Sequence, residues 1–160
     1  MTTLTATERR SHLLSAVSHG GAYDVINLTS TVELPNGATG RTINFGYIPS
    51  NARLLGSCRL YYDDMSNAGA PTLDIGLAAV NGNLANADDV DAIGNGFTLA
   101  TAANDKVMIS EIANIGLPAW DYVASETSDP GGELMVYGTL LDAATTVTGT
   151  ITAEIYYVVD

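Results

Sequence analysis

The sequence predicts an all-β protein, an antiparallel jelly-roll-like sandwich of about eight strands with a short N-terminal helix or arm. Turn-forming residues recur roughly every 8 to 15 positions, a spacing typical of sandwiches and barrels. Between these turns, apolar and polar residues alternate, as they do in strands that are buried on one side. The 160 residues suffice for one domain with its own core. We predict an arm over residues 1–22 and the sandwich over residues 23–160.

The N-terminal segment differs from the rest of the chain in charge. Residues 1–20 carry a net charge of +1, so the remainder of a chain whose net charge is −12 carries −13. Thr5 and Glu8 fit a capping box, which predicts a short helix stopped by the following glycines. This segment either folds back on its own domain or docks on a neighbour. The residues expected to contact such a neighbour, either another protein or a sister subunit, are Arg9, Arg10, Leu13, Leu14 and Val17.

Alternating patterns that predict strands follow one another along the chain, and the longest of them is the last. Over residues 145–160, TTVTGTITAEIYYVVD, apolar residues alternate with threonines, which predicts a central strand with one face in the core. Residues 88–93 are predicted to form one helical turn, and the pattern over residues 109–120 is ambiguous. The side chains predicted to lie on core faces include Ile43, Phe45, Tyr47, Leu54, Cys58, Leu60, Tyr62, Leu73, Ile75, Leu77, Leu134, Val136, Leu140, Ile151, Ala153, Ile155 and Tyr157.

The acidic composition argues against two classes of partner. A body with a net charge of −13 repels phosphate, so neither nucleic acid nor an anionic membrane surface is expected to bind. No apolar run approaches the roughly 18 residues that a membrane-spanning helix needs.

The residue types that catalysis needs are scarce and badly placed. His12 and His19 both lie in the N-terminal segment, away from the predicted strands, so neither a nucleophilic triad nor a histidine-based metal site is expected. Cys58 alternates in phase with Leu54 and Leu60, which predicts a buried and inert thiol. We therefore expect no enzyme activity, no catalytic or metal-binding residues and no cofactor.

An acidic cluster precedes Gly94. Asp88, Asp89 and Asp91 fit the alternating ligands of a calcium loop loosely, but the bidentate glutamate of an EF-hand is missing. Solvated acids are the favoured interpretation, and cation binding is left open.

One aromatic cluster could bind a ligand. Trp120, Asp121 and Tyr122 could form a sugar-stacking platform with a carboxylate that accepts hydroxyls. A single Trp in such a place more commonly packs at a sheet corner or a subunit contact.

Three stretches together resemble the jelly-roll decoration (cement) proteins of tailed bacteriophage heads. Residues 48–56, IPSNARLLG, resemble the entry to a core strand of those proteins, and residues 72–77, TLDIGL, look like their second recurring element. Residues 138–160 are similar to their closing hairpin. The resemblance covers residues 40–160 in outline, and the first 20 residues have no clear match.

The resemblance implies a non-enzymatic structural protein of the virion. Such proteins sit on the outer capsid surface, typically as homotrimers, and bridge neighbouring subunits of the major capsid protein. The partners it implies are therefore the major capsid protein and further copies of this chain. The alternative function is a carbohydrate-binding sandwich of a phage head or tail fibre, with Trp120 and Tyr122 as its anchor.

Overall fold

The computed structural model describes most of the chain, namely residues 3–5, 7–13, 24–37, 40–65, 69–80, 88–123, 128–129, 131–143 and 147–159. In this part of the chain eleven strands form two sheets, which confirms the predicted all-β sandwich. The strands are β1 (Thr3–Thr5), β2 (Thr7–Leu13), β3 (Val25–Gly37), β4 (Thr42–Pro49), β5 (Ala52–Leu54), β6 (Arg59–Tyr62), β7 (Gly69–Ala79), β8 (Asp88–Thr98), β9 (Ala103–Val107), β10 (Glu133–Ala143) and β11 (Val147–Val159). A 3-10 turn (Ile112–Asn114) and a one-turn helix α1 (Ala119–Tyr122) lie between β9 and β10.

The strand order is that of a jelly roll with additions at its edges. The first sheet has the order β1-β4-β10-β7-β8, and the second has the order β2-β3-β11-β6-β9, with β5 also pairing to β11. Without β1, β2 and β5, eight strands remain, and successive strands change sheet everywhere except at the β7–β8 hairpin. This is the interleaved path of a double Greek key. No helix in the described ranges is long and apolar enough to cross a membrane.

The core lies between the two sheets and is filled from both. On β11, the alternating residues Ile151, Ala153, Ile155 and Tyr157 are buried, as the sequence predicted. Each fully buried aliphatic side chain contributes about 1.5–3 kcal/mol relative to exposure. The largest fully buried side chains are Phe45, Leu28, Leu34, Ile43, Ile48, Leu54, Leu60, Met65, Leu73, Ile75 and Leu77.

The N-terminal helix prediction is wrong over the described residues. Residues 3–5 and 7–13 are strands instead: β1 pairs parallel with β4, and β2 pairs antiparallel with β3 from Thr7 to Leu13. A helix of about a dozen residues is marginal alone. Strand pairing satisfies the free backbone groups at the edges of both sheets, so the sheet contacts override the local helix signal. The division of the chain at residue 22 stays a prediction.

The predicted helical turn at residues 88–93 is also wrong, because these residues belong to β8. On β7, Leu77 pairs with Asp89 and Ile75 pairs with Gly94. The four residues 90–93 of β8 therefore face the single residue Gly76 and form a bulge. A Cβ at Gly76 would lie 2.1 Å from the carbonyl oxygen of Asp89. The bulge therefore depends on a glycine at that position.

A second bulge changes the face of Tyr47. Against β10, Gly46 pairs with Val136 and Asn44 pairs with Tyr137, so Phe45 is the extra residue of β4. The alternation of buried and exposed side chains shifts by one residue at this point. As a result Ile48 is buried, whereas the sequence pattern predicted that Tyr47 would face the core. Tyr47 is half-buried, and its hydroxyl accepts a hydrogen bond from the Asn44 amide at 2.8 Å.

Candidate interaction surface

Three of the predicted contact residues lie on β2. The backbone of Arg9 pairs with Thr29, that of Arg10 with Leu28, and that of Leu13 with Val25. Leu14 and Val17 lie outside the described residues. The contact role of all five residues stays a prediction.

The three residues of the predicted sugar platform lie in α1 and face different ways. Tyr122 is only 4% exposed and its hydroxyl has no hydrogen-bond partner among the described residues, whereas Trp120 is half-buried and Asp121 is exposed. Positions two residues apart on a helical turn point to nearly opposite sides. Burial raises the pKa of Tyr122. Tyr122 is thus a core residue, and a sugar contact at Trp120 and Asp121 stays a prediction.

An exposed apolar segment stands between β9 and α1. We call residues 111–117 the apolar loop. Ile112 is 76% exposed, Ile115 42% and Leu117 38%. These side chains are half of the large hydrophobic residues that are exposed in the described part of the chain. Burying such a side chain against a partner is favourable, so this loop is a candidate interaction site.

Tight turns fix the internal shape of the apolar loop. The amide of Ile115 donates to the carbonyl of Ile112 at 3.2 Å, and that of Leu117 donates to the carbonyl of Asn114 at 3.1 Å. Gly116 has a φ of +85°, a conformation that L residues with side chains rarely adopt. The three apolar side chains are therefore carried on a backbone with internal hydrogen bonds.

The loop is fastened to both sheets. The Asn114 amide donates to the carbonyl of Ala92 on β8 at 2.9 Å, next to the hydrogen bond from the Ser110 amide to the carbonyl of Ile93 at 3.0 Å. From the other sheet, the guanidinium of Arg53 on β5 donates to the carbonyl of Gly116 at 2.6 Å. The apolar loop thus joins a strand of the first sheet to a strand of the second, which fixes its position on the sandwich.

Two exposed carboxylates flank the apolar loop in the sequence. Glu111 lies at its start and Asp121 lies just beyond it. Arg53 is turned toward the loop backbone by its hydrogen bond to Gly116. A partner surface that is apolar with basic residues at its rim would fit this arrangement.

The carboxylates of the acidic cluster on β8, Asp88, Asp89 and Asp91, accept local hydrogen bonds. Asp88 accepts the hydroxyl of Tyr137, Asp89 accepts the amide of Asp91 at 3.3 Å, and Asp91 accepts the side-chain amide of Asn95 at 2.6 Å. Burial raises the pKa of Asp89 and the neighbouring Asp91 side chain adds to the shift, whereas the hydrogen bond from the Asp91 backbone amide opposes it. Among the described residues, no group of three or more His, Cys, Asp or Glu side chains is arranged to hold a metal ion.

Cys58 is buried, as predicted. Its thiol donates to the carbonyl of Tyr156 at 3.3 Å, and its sulfur accepts the amide of the same residue at 3.2 Å. Burial raises the pKa of the thiol to about 11, so it is protonated at neutral pH. Thiolate chemistry is therefore suppressed in the folded protein.

Sequence reasoning missed the apolar loop. Ile112, Ile115 and Leu117 fall in the segment whose pattern was ambiguous. The available signal was their position beside Gly116 and Pro118, because large aliphatic residues are uncommon in turns. Alternation predicts which side of a strand is buried, but it says nothing about a side chain outside a strand.

Comparison with known proteins identifies a shared fold. No protein-family model matches the sequence, and no curated protein matches it either. A chain of the cyanophage Pam1 capsid asymmetric unit has a similar structure, with a TM-score of 0.58 and 20% sequence identity. The superposition covers 92% of this chain and 94% of that one, so the two chains are nearly equal in length and share a fold over most of it.

Proposed function

We propose that this chain is a structural protein of a phage virion, which decorates the outer capsid surface and stabilises the head by bridging subunits of the major capsid protein. The fold that it shares over most of its length with a chain of a phage capsid asymmetric unit supports this proposal. The observation that carries it is the apolar loop, with Ile112, Ile115 and Leu117 exposed on a backbone fastened to both sheets.

The mechanism is burial of a preformed apolar surface. Full burial of an exposed large aliphatic side chain contributes about 1.5–3 kcal/mol. Ile112, which is 76% exposed, can gain most of this on binding, and Ile115 and Leu117 can gain less than half each. Since the loop is already held by Asn114 and Arg53, little conformational entropy is lost when it binds. Repetition over a symmetric shell lets modest individual contacts add up to firm attachment.

The charge of the chain favours the outer surface over the interior. A net charge of −12 repels packaged DNA and keeps an exposed shell soluble.

We propose a homotrimer as the unit that binds, because subunits related by rotation can each bring one loop to a shared capsid position. The contact residues expected on the N-terminal segment, Arg9 and Arg10 among them, belong to the same proposal.

The test is to mix purified protein with heads that lack it and measure co-sedimentation and heat resistance of the heads. The wild type is expected to bind and to raise the temperature at which the heads open. Ile112→Asp combined with Ile115→Asp should weaken binding at least about tenfold, the effect of losing roughly 1.4 kcal/mol.

The matched control is Val80→Asp, since Val80 is 46% exposed and lies outside the apolar loop. It should bind as the wild type does. Heads that neither bind the wild type nor gain heat resistance would refute the decoration role. Equal loss of binding in both variants would show that the apolar loop is not the contact surface. A monomeric mass for the purified protein would contradict the trimer.

A further inference from the structure

The outer face of the second sheet is a regular array of polar side chains. Glu33 and Thr31 on β3 stand opposite Thr150 and Thr152 on β11, and Thr152 stands opposite Tyr61 on β6. Residues directly opposite one another on neighbouring strands are close enough for their side chains to interact. The threonine side of the closing strand is therefore the middle row of a larger surface.

Hydrogen bonds along this face orient its hydroxyl groups. Thr31 and Thr152 share a hydrogen bond between their hydroxyl oxygens at 2.9 Å, and the Thr150 hydroxyl donates to the Glu33 carboxylate at 2.6 Å. The Tyr61 hydroxyl donates to the Glu154 carboxylate at 3.1 Å. Groups held in this way are pre-organised to bind a ligand that carries several hydrogen-bonding groups.

A depression of about 120 Å³ lies in this face, lined by Tyr61, Tyr62, Asp63, Thr150 and Thr152. Asp63 is exposed and uses its Oδ2 atom to accept the amide of Thr150 at 2.8 Å. Its second carboxylate oxygen receives no hydrogen bond from the described residues and can accept one from a ligand. The half-buried ring of Tyr61 borders the same space.

We propose that this depression binds a neutral saccharide. A sugar ring offers hydroxyl donors to Asp63, hydroxyl groups to the threonines, and a C–H face to the ring of Tyr61. The nearby carboxylates of Asp63 and Glu33 disfavour an anionic sugar by like-charge repulsion.

Two features favour a sugar over a protein surface as the occupant. Among the described residues, none of the exposed large hydrophobic side chains lies on β3, β6 or β11, so the face lacks the apolar centre of a protein contact. The charge of Arg59, at the edge of the array, is paired with Asp105 at 2.8 Å. The residues that line the depression are two threonines, one aspartate and two tyrosines, of which Tyr62 is buried.

The experiment is a binding titration followed by NMR, with the methyl glycosides of glucose, galactose, mannose and N-acetylglucosamine as probes and sialyllactose as the acidic comparison. The full chain should bind at least one neutral probe and not sialyllactose. Asp63→Asn should weaken that binding about tenfold, because it loses a hydrogen bond to a charged group. Asparagine can still accept the Thr150 amide, so the variant is expected to fold.

Thr152→Val and Tyr61→Ala provide second and third variants within the site, and both should reduce affinity. Thr98→Val is the control, an exposed threonine on β8 in the other sheet, and should leave affinity unchanged. The proposal is overturned if no neutral probe binds at millimolar concentration, or if binding persists in all three site variants. It is also overturned if a second copy of the chain covers Tyr61 in solution, detected as loss of its solvent accessibility. None of these results depends on capsid binding.

Discussion

The side-chain amide of Asn114 donates a hydrogen bond of 2.9 Å to the backbone carbonyl of Ala92, within the bulge of β8. One side chain thus connects the apolar loop to an irregular stretch of a sheet edge. The bulge leaves this carbonyl outside the ladder with β7, and Asn114 satisfies it. The position of the loop and the shape of the bulge therefore depend on each other.

Replacing Asn114 should loosen the loop. Asn114→Ala is expected to lower the free energy of unfolding by about 1–2 kcal/mol, because it leaves a partly buried carbonyl unpaired. Amide hydrogen exchange of residues 110–117 should accelerate more than exchange in β11. Asn95→Ala is the control, since Asn95 makes an exposed hydrogen bond to Asp91. Unchanged exchange in the loop would show that Asn114 does not hold it.

Adding one methyl group opposite the bulge should be costly. Gly76→Ala would place a Cβ 2.1 Å from the Asp89 carbonyl oxygen and 2.6 Å from the carbonyl carbon of Val90, both backbone atoms that cannot move alone. We expect a loss of about 1–3 kcal/mol in unfolding free energy, measured by urea denaturation.

Substitutions at two other glycines serve as comparisons for the loss of stability at Gly76. Gly138→Ala would meet side-chain atoms of Leu73 and Phe45 at 2.9 Å, which can shift, so it should cost less than Gly76→Ala. Gly56→Ala would meet only the Ile115 side chain at 3.9 Å and should be nearly neutral. Equal effects at the three positions would contradict the backbone clash at Gly76.

The Cys58 thiol should react only when the protein opens. Its pKa is raised from 9.0 to about 11 by burial, so the stability that its protonated form contributes is fully present below pH 9 and is lost as the pH rises toward 11. Reaction with an aromatic disulfide at pH 8 should be slow and should accelerate in urea. Cys58→Ala should reduce the loss of stability between pH 9 and pH 10. Rapid labelling of the native protein would contradict the burial.

Removing the charge of Asp89 should stabilise the protein at neutral pH. Its pKa is raised, first by burial and then by the neighbouring Asp91 side chain, so the folded state favours the protonated carboxyl. That favourable contribution is complete in acid and is lost as the pH rises through the raised pKa. Asp89→Asn should therefore raise the melting temperature at pH 7 and have little effect at pH 3. A variant that is less stable than the wild type at pH 7 would contradict the proposed sign.

The sandwich was predictable because alternation reports directly which side of a strand is buried. The burial of Ile151, Ala153 and Ile155 followed from parity alone. The bulges at Phe45 and at residues 90–93 were not predictable, because an inserted residue is defined by the register of a partner strand. The N-terminal strands were missed for a related reason, since their stability comes from the edges of β3 and β4.

The candidate site was predictable to a smaller degree. The segment that contains Ile112 and Ile115 was visible as irregular, but its exposure depends on where Asn114 and Arg53 hold it, and both contacts are distant in sequence. The polar face of β11 was visible as a row of threonines. Its partners Tyr61 and Glu33 become neighbours only through strand pairing.

The central place of β11 also determines how the protein carries mechanical load. β11 is hydrogen-bonded to β3 on one side and to β6 and β5 on the other, whereas β2 is held through β3 alone among the described strands. Tension along β11 must shear two ladders at once, whereas tension along β2 shears only the ladder to β3. The edge strand is therefore expected to yield before the central strand when the protein is pulled.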